Sequence, residues 1–316
     1  MPKKKFDVLV VGELNVDLIL NQLDRFPEVG KEIIARKMLL TLGSSSAIFD
    51  SNLSVLGTRV GFCGCVGKDS FADKIISDLS HKGVDTSHII KSELKDTGIT
   101  VALNVKEDRA MITYPGAMNE LTADQISDEM LSSAAHLHVS SVFLQPGLKS
   151  GLTGLFRRAQ QLGLTTSFDP QWDPEEQWEC DLYNLLPYTS VFLPNMEELK
   201  NMTGRSSLED CLSCLDNKAG WVVVKKGNAG ATLSIRGKIL PQPAFMNEEV
   251  LDAIGAGDSF NAGFIHQFVQ GKLPAICLEF GALCGAINTT ASGGTAAFKD
   301  YDMVRSIALQ KFNFQL

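Results

Sequence analysis

Apolar and polar residues follow two different patterns along the chain. Short apolar runs, typical of buried strands, alternate with segments in which apolar residues recur every three or four positions, typical of helices. The predicted strands are 8–12, 59–66, 136–140, 165–169, 190–194, 220–225 and 231–235. The predicted helices are 70–82, 123–133, 150–162, 195–203 and 258–270. This alternation predicts an α/β fold with a doubly wound, mainly parallel sheet flanked by helices on both faces.

Two regions, at about 13–43 and 94–118, interrupt the alternation. In the second region, segments 98–105 and 110–114 flank a turn at 107–109, which predicts a β-hairpin. Two strand-rich excursions from a doubly wound core predict a small β-sheet that forms a lid on one domain spanning residues 1–316. A lid suits an enzyme that must keep water away from a reactive substrate.

The composition is that of a globular protein and argues against several classes of partner. Of the 316 residues, 44% are hydrophobic and 21% are charged, which is sufficient for a buried core. The net charge of −8 argues against nucleic acid as a partner. The apolar runs are shorter than the about 18–20 residues that span a bilayer, and the first residues lack a signal-peptide pattern, so we expect no membrane partner. The seven scattered cysteines indicate reduced thiols and a cytoplasmic location.

Two sets of residues resemble metal or redox sites but lack the necessary context. Cys211 and Cys214 form a C-x-x-C pair inside an amphipathic helical pattern, without a second pair at zinc spacing. His136 and His138 alternate with apolar residues in a predicted strand. We therefore expect all four residues to be structural positions.

The most informative segment is Asp252-Ala-Ile-Gly255-Ala-Gly257-Asp258, which precedes an amphipathic helix. Its small residues allow a tight turn that points backbone N–H groups into one concavity at the helix start, where the helix dipole favours an anion. A carboxylate in such a place suits phosphoryl transfer, because it can accept the proton of the attacking hydroxyl. Asp258 is equally suited to be a helix N-cap. The local sequence leaves both interpretations open.

Other catalytic motifs are missing from the sequence. It has no G-x-x-x-x-G-K-[ST], so it is not a P-loop enzyme. Phe260 stands where a dinucleotide fingerprint requires its third glycine, which disfavours an NAD-dependent oxidoreductase. It also lacks H-E-x-x-H and G-x-S-x-G.

The glycine-rich segment resembles the C-terminal signature of the ribokinase-like (PfkB) carbohydrate kinase family, D-T-x-G-A-G-D-x-F-x-A-G, with Ala253 in place of the threonine. Four further stretches resemble family motifs and follow in the family's order. They are Gly12-Glu-Leu-Asn15-Val-Asp17, the L-G … G-x-D-x-F stretch at 56–72, Asn195-Met-Glu-Glu198 and Lys226-Gly-Asn-Ala-Gly230. The resemblance covers about residues 7–298 and implies an ATP-dependent kinase that phosphorylates a sugar hydroxyl.

The resemblance also implies a role for each matching residue. Asp258 would be the general base, and the anion hole would be formed by Gly255, Ala256 and Gly257. The sugar would contact Asn15, Asp17, Gly43, Ser44 and Asp169. ATP would lie beside Asn195, Glu198, Lys226, Gly227, Gly230 and Gly293. Glu198 would hold Mg²⁺ through water, Asp252 would lie near a monovalent cation such as K⁺, and two copies of the chain would pair through their lids.

Three departures from the family pattern bear on the acceptor. Ser44 replaces the second glycine of G-G-x-x-x-N, and Ile48 replaces its substrate-binding asparagine, for which the neighbouring serines or Asp50 would have to substitute. Asp173 replaces the arginine of the D-x-N-x-R segment, and its charge would repel an acidic sugar or a sugar phosphate. Ser44 and Ile48 therefore depart from the specificity of a typical ribokinase or fructokinase, and Asp173 favours a neutral sugar or a nucleoside. We expect the acceptor to be a neutral pentose or hexose. A nucleoside kinase, a 2-keto-3-deoxygluconate kinase and a non-catalytic sugar- or nucleotide-binding module remain alternatives.

Overall fold

The computed structural model describes residues 4–105, 108–216 and 218–316. The strands in these ranges are β1 Phe6–Val11, β2 Asn15–Asn21, β3 Lys37–Leu42, β4 Val60–Cys63, β5 Cys65–Val66, β6 Ile90–Lys91, β7 Gly98–Val105, β8 Asp108–Tyr114, β9 Ala134–Ser140, β10 Thr165–Asp169, β11 Val191–Phe192, β12 Trp221–Lys225, β13 Ala231–Ile235 and β14 Lys238–Gln242. The helices are α1 Ser45–Val55, α2 Ser70–His81, α3 Asp128–Ser132, α4 Pro146–Gln161, α5 Leu182–Leu185, α6 Met196–Thr203, α7 Leu208–Leu215, α8 Ala256–Val269, α9 Pro274–Asn288 and α10 Tyr301–Phe312.

The largest sheet has the strand order β14-β13-β12-β11-β10-β9-β1-β4. Neighbouring strands from β12 to β4 run parallel, and β13 and β14 add an antiparallel edge. The central strands are buried on both faces because each face is covered by helices. In β1, for example, Leu9 and Val11 pack with α3–α7, whereas Val8 and Val10 pack with α1, α2, α8 and α9. The predicted doubly wound, mainly parallel sheet is confirmed.

A separate four-stranded sheet has the order β3-β2-β7-β8. It comes from the two regions that interrupt the strand–helix alternation, and β2 pairs with β7 in parallel. The predicted hairpin is also present, because β7 and β8 pair antiparallel from Ile99↔Tyr114 to Val105↔Asp108. Glu107, which was predicted to lie in its turn, falls outside the described residues.

Several predicted boundaries differ from the structure for local reasons. The strand predicted at 59–66 is divided at Gly64 into β4 and β5, and a β-carbon on Gly64 would lie only 2.8 Å from the carbonyl oxygen of Gly12. The helix predicted at 123–133 is a short 3₁₀ turn followed by α3, because Ser127 caps a new helix by accepting a hydrogen bond from the Met130 N–H. Helix α4 begins at Pro146, one turn before the prediction, since proline is well accommodated in the first turn.

The cysteine and histidine pairs that resemble metal or redox sites lie on regular secondary structure. Cys211 and Cys214 lie on α7, and the seven cysteines are all unpaired. His136 and His138 are buried on β9, and each ring forms a hydrogen bond of 2.7 Å with the hydroxyl of Ser167. Within the described ranges, no helix is long and apolar enough to cross a membrane.

Candidate active site

A cleft of about 780 Å³ lies at the carboxyl ends of the parallel strands, between the large sheet and the small one. Five consecutive strands of the large sheet each contribute a polar residue at or just beyond their last position. These are Glu13 after β1, Ser141 after β9, Gln171 after β10, Asn195 after β11 and Lys225 at the end of β12. This is the edge at which ligands bind in open parallel sheets.

Helix α8 begins at the bottom of this cleft. Its N-cap is Gly255, whose φ of +75° places it in the left-handed region, and a β-carbon there would lie 2.7 Å from the Cα of Gly294. The first N–H groups of an α-helix have no acceptor inside the helix. The N–H of Ala256, which was predicted to belong to the anion hole, donates to the Ala253 carbonyl at 3.2 Å, and this leaves the N–H groups of Gly255, Gly257 and Asp258 as the anion-binding candidates.

Asp258 lies in the first turn of α8 and does not cap it. Only 6% of its surface is exposed, and its Oδ1 accepts a hydrogen bond from Gln171 Nε2 at 2.9 Å. The interpretation of Asp258 as a helix N-cap is therefore wrong, because Gly255 occupies that position. The carboxylate faces the cleft, next to the N–H groups that begin the helix.

Asp169 organises the groups beneath the cleft. It is fully buried, and its Oδ2 accepts hydrogen bonds from Lys225 Nζ at 2.7 Å, from Gln171 Nε2 at 2.9 Å and from Asn261 Nδ2. Gln171 therefore connects Asp169 to Asp258 through a single amide group. Asp169, predicted to contact the sugar, lies below the cleft and not in its lining.

Burial and clustered charge perturb the ionisation of these groups. Burial raises the pKa of Asp258 well above its usual range, and the charge of Asp169 adds to this effect, whereas Lys225 and the Gln171 hydrogen bond oppose it. Burial and the Asp169 charge also raise the pKa of Glu198 to about 7. For Lys225, burial lowers the pKa, but Asp169 and Glu198 outweigh burial and the net shift is upward. Lys225 thus remains charged.

Four of the five predicted sugar-binding residues, all except Asp169, lie together at the end of the cleft next to the small sheet. Asn15 Nδ2 donates to Asp17 Oδ1 at 2.9 Å and to Thr100 Oγ1 at 3.1 Å, which joins β2 to β7. A β-carbon on Gly43 would overlap the Asp17 carboxylate. Ser44 caps α1, since its hydroxyl accepts from the Ala47 N–H at 2.9 Å and donates to the Glu13 carbonyl at 2.6 Å.

Glu13 also lies at this end of the cleft, although no role was predicted for it from the sequence. Its carboxylate is buried, lines the cleft and accepts hydrogen bonds from the hydroxyl and N–H of Ser46. The Ser46 hydroxyl also lies 2.6 Å from that of Ser140, at the end of β9. Glu13 could have been identified from the sequence, because it directly follows the first predicted strand, at the end where ligands bind in parallel sheets.

At the other end of the cleft, Asn195 and Glu198 form a capping box at the start of α6. Asn195 Oδ1 accepts from the Glu198 N–H at 2.9 Å, and Glu198 Oε2 accepts from the Asn195 N–H at 2.8 Å. Both residues also line the cleft. Asn195 is thus the predicted helix cap, and the capping box presents the pair to the space where phosphates would lie.

Lys225, which was not among the predicted site residues, lines the cleft, whereas its predicted neighbour Lys226 is not part of the lining. Alternation along β12 explains the difference. Val223 and Lys225 point to the face that carries α8, and Lys226 follows on the opposite side. Gly227 and Gly230, both with positive φ, border the cleft as predicted.

Asp252 connects the two loops that adjoin α8. Its Oδ1 accepts from the Ile254 N–H at 2.9 Å, and its Oδ2 accepts from the Gly293 N–H at 3.0 Å. In the described part of the chain, no group of three or more His, Cys, Asp or Glu residues could hold a metal ion. A Mg²⁺ ion held by water and phosphate oxygens needs no such group.

Comparison with known proteins identifies this arrangement. The sequence model of the pfkB family carbohydrate kinases matches residues 5–300. The chain belongs to the pfkB carbohydrate kinase family. Like other members, this kinase is a phosphotransferase with an alcohol group as acceptor.

Individual relatives of the kinase span almost its full length. It is 26% identical over 309 residues to the 2-dehydro-3-deoxygluconokinase of Bacillus subtilis, covering 92% of this chain and 91% of the relative. It is 23% identical over 297 residues to the ribokinase of Haemophilus influenzae, covering 91% and 94%. The structure of Arabidopsis thaliana ribokinase complexed with ribose and ATP superposes with a TM-score of 0.84 at 23% identity, covering 98% and 99%. The fold of the kinase is therefore that of ribokinase.

The kinase's departures from the family pattern have clear structural consequences. Ile48 packs against Gly255 and Gly294, and so supports the turn before α8. Asp50 is fully buried in α1 and does not line the cleft, so it does not substitute for the missing asparagine. Asp173 is also buried, and its carboxylate accepts from the N–H groups of Glu175 at 3.0 Å and Trp178 at 2.6 Å. Its charge stabilises its own loop, which removes the predicted repulsion of acidic substrates.

Proposed function

We propose that this kinase transfers the γ-phosphoryl group of ATP to a hydroxyl group of a neutral sugar, a pentose or hexose, with Asp258 as the general base. The observation that supports the proposal is the position of Asp258 in the first turn of α8. Its carboxylate faces the cleft beside backbone N–H groups of the same turn. A proton acceptor and an anion-binding site are thereby combined in one helical turn.

The proposed reaction follows from this geometry. The sugar hydroxyl donates its proton to Asp258 as its oxygen attacks the γ-phosphorus of ATP. The bond between this phosphorus and the β–γ bridging oxygen breaks, ADP is the leaving group, and Asp258 retains the proton until the phosphorylated sugar leaves. The N–H groups of Gly257 and Asp258 stabilise the negative charge on the transferred group. When bound, ATP with Mg²⁺ supplies the phosphoryl group, and Asn195 and Glu198 hold the water ligands of the ion. The raised pKa of Asp258 makes it a stronger base than an ordinary aspartate.

A neutral acceptor is supported by the charges that line the cleft. Among the described residues of the lining, Glu13, Asp17, Glu198 and Asp258 are acidic, and Lys225 is the one lysine or arginine. Lys225 is already paired with Asp169 at 2.7 Å. Carboxylates and amides such as Asp17 and Asn15 are suitable partners for sugar hydroxyls.

A 2-keto-3-deoxy sugar acid is a second candidate acceptor. It is supported by the similarity to the Bacillus subtilis 2-dehydro-3-deoxygluconokinase and by the position of Asp173, which does not line the cleft and whose carboxylate accepts hydrogen bonds within its own loop. A coupled assay of ADP release with neutral sugars, sugar acids and nucleosides separates the candidates. Turnover with neutral sugars is the expected result. Turnover restricted to sugar acids or to nucleosides would replace the proposed acceptor, and ATP binding without any turnover would favour a binding module.

We further propose that the small sheet acts as a lid and pairs with that of a second copy. Asn15, Asp17, Thr100, Met111 and Thr113 of this sheet line the cleft. Large apolar side chains on its edge strands are exposed, among them Met38 on β3 and Ile112 on β8, and such edges favour pairing. Light scattering should give twice the mass of the chain, and an Ile112→Lys substitution should reduce it; a monomeric wild-type protein contradicts the pairing.

The cation and the location are the remaining parts of the proposal. A monovalent cation would lie near the loops that Asp252 joins. If a cation at this position supports catalysis, replacement of K⁺ by tetramethylammonium in the assay should lower kcat. Unchanged kcat would remove the cation from the proposal. The cytoplasmic location stays a prediction, which fractionation of cells with an antibody to the chain would check.

A further inference from the structure

The backbone of β12 places Lys225 beside the phosphate end of the cleft. Its N–H donates to the Pro194 carbonyl at 3.0 Å, and Lys225 and Asn195 are opposite each other across the two adjacent strands. Since Val223 points to the face that carries α8, Lys225, two residues on, points there as well. The side chain is thus directed by a strand, not by a loop.

The ammonium group lies among the groups that would surround the transferred phosphate. The Lys225 Nζ atom is 2.7 Å from Asp169 Oδ2. A β-carbon placed on Gly257 would lie 3.7 Å from the same Nζ atom. The side chain is 11% exposed and lines the cleft together with Gly257, Asp258 and Glu198. An ammonium group has three N–H donors. Among the described residues only Asp169 accepts from it, so two donors remain for the cleft.

The charge balance of this region requires a cation. Asp169, Glu198 and Asp258 all interact electrostatically with Lys225, and a phosphate group would add further negative charge to the same space. The aligned backbone dipoles of a whole helix place only about half an elementary positive charge at its N-terminus. Within the described lining no other lysine or arginine approaches this point.

We propose that Lys225 is a catalytic residue that contacts the transferred phosphoryl group opposite the N–H groups of α8. This inference rests on the proposed function, because it assigns Lys225 to the same reaction. In the enzyme without nucleotide, Lys225 is held by Asp169. With ATP bound, its remaining N–H donors reach a γ-phosphate oxygen, and the contact strengthens as negative charge develops during transfer.

A purely structural role is the competing explanation, since Lys225 also neutralises the buried Asp169. Lys225→Met alone would leave that charge unpaired and could prevent folding. The informative comparison is therefore between Asp169→Asn and the double variant Asp169→Asn/Lys225→Met, in which both members of the Lys225–Asp169 ion pair are removed together. Lys238→Met, on the exposed edge strand β14, is a control for loss of one surface lysine.

Two measurements test the proposal. In the steady state, adding Lys225→Met to Asp169→Asn should lower kcat by about 10²–10³-fold, the usual effect of removing one donor to a developing charge, with an unchanged KM for sugar. In calorimetric titrations, the preference for ATP over ADP should fall about tenfold in the double variant. Lys226→Met, measured in parallel, should have the smaller effect on both quantities.

The possible outcomes distinguish this inference from the proposed function. If the double variant keeps kcat and the ATP-to-ADP preference of Asp169→Asn within about threefold, Lys225 serves only to neutralise Asp169 and the inference fails alone. A larger effect of Lys226→Met also overturns it. If the wild-type protein binds neither ATP nor ADP, the proposed function fails, and the inference fails with it.

Discussion

Asp50 provides the sharpest test of the energetics, because it is a carboxyl group buried in α1 without a hydrogen-bond partner. Both side-chain oxygens are inaccessible to solvent, and no described residue donates to either. Burial raises the pKa of this group well above its usual range, since nothing offsets the loss of hydration. We expect Asp50→Ala to stabilise the protein, an unusual effect for a core substitution.

The magnitude follows from three contributions. An unpaired buried polar group costs about 1–3 kcal/mol. The cavity left by its removal costs about 1 kcal/mol, and alanine is the best helix former. Because the folded-state pKa is raised, the folded protein retains a proton that the unfolded chain releases, so stability falls as pH rises above the ordinary aspartate value. This loss amounts to about 1.4 kcal/mol per pH unit until the folded-state pKa is reached.

Differential scanning calorimetry at pH 5 and pH 7 measures the effect. The Tm of Asp50→Ala should exceed that of the wild type by several degrees at pH 7, at about 2 °C per kcal/mol, and by much less at pH 5. Asp124→Ala removes an exposed carboxylate and should change Tm little at either pH. A lower Tm for Asp50→Ala at pH 7, or a difference that does not depend on pH, would refute the reasoning.

Two further predictions concern the groups around Asp258. Gln171→Leu removes the amide that donates to Asp169 and Asp258, so the pKa of Asp258 should rise further and the acid limb of kcat/KM should move to higher pH. Gln177→Leu, in the same loop, should leave that limb in place, and an equal shift in both variants would contradict the assignment. Gly255→Ala should cost about 1–2 kcal/mol through its left-handed φ alone and should lower kcat as the start of α8 moves. Gly154→Ala in α4, where a β-carbon meets no atom within 4 Å, should be neutral or stabilising, and equal Tm values for the two variants would contradict the predicted strain.

The large sheet could be predicted from the sequence because its central strands are buried on both faces. Val8–Val11 and Trp221–Lys225 are apolar runs of a length that suits strands and not helices. Helices α1 and α9 were not predicted because neither shows the clear alternation of an apolar and a polar face that marks an amphipathic helix. Helix α9 is buried on most sides and lacks a polar face, whereas α1 contains serine, aspartate and asparagine residues that ordinarily favour turns.

The residues of the candidate site could be predicted where the sequence offered a single candidate for a given role. Gly255 and Asp258 were singled out because the segment from Asp252 matches the glycine-rich signature of the family at all but one position. Lys225 was missed because two lysines follow each other, and only the alternation of β12 shows which one faces α8. The predicted repulsion by Asp173 was not foreseeable as incorrect, because a single sequence does not show that the Asp173 carboxylate accepts hydrogen bonds from backbone N–H groups of its own loop. Contacts between segments distant in sequence, such as Asp169 with Lys225, arise only from the fold.

The central claim, that Asp258 accepts the proton of the sugar hydroxyl, is tested most directly by Asp258→Asn. Asparagine keeps the size of the side chain and cannot act as a base, so kcat should fall by about 10²–10⁴-fold while the dissociation constants for ATP and sugar stay within a few-fold of the wild type. The measurement combines steady-state kinetics with calorimetric titration of each ligand. A variant that retains most of its kcat, or one that loses activity only because it no longer binds ATP, would contradict the claim.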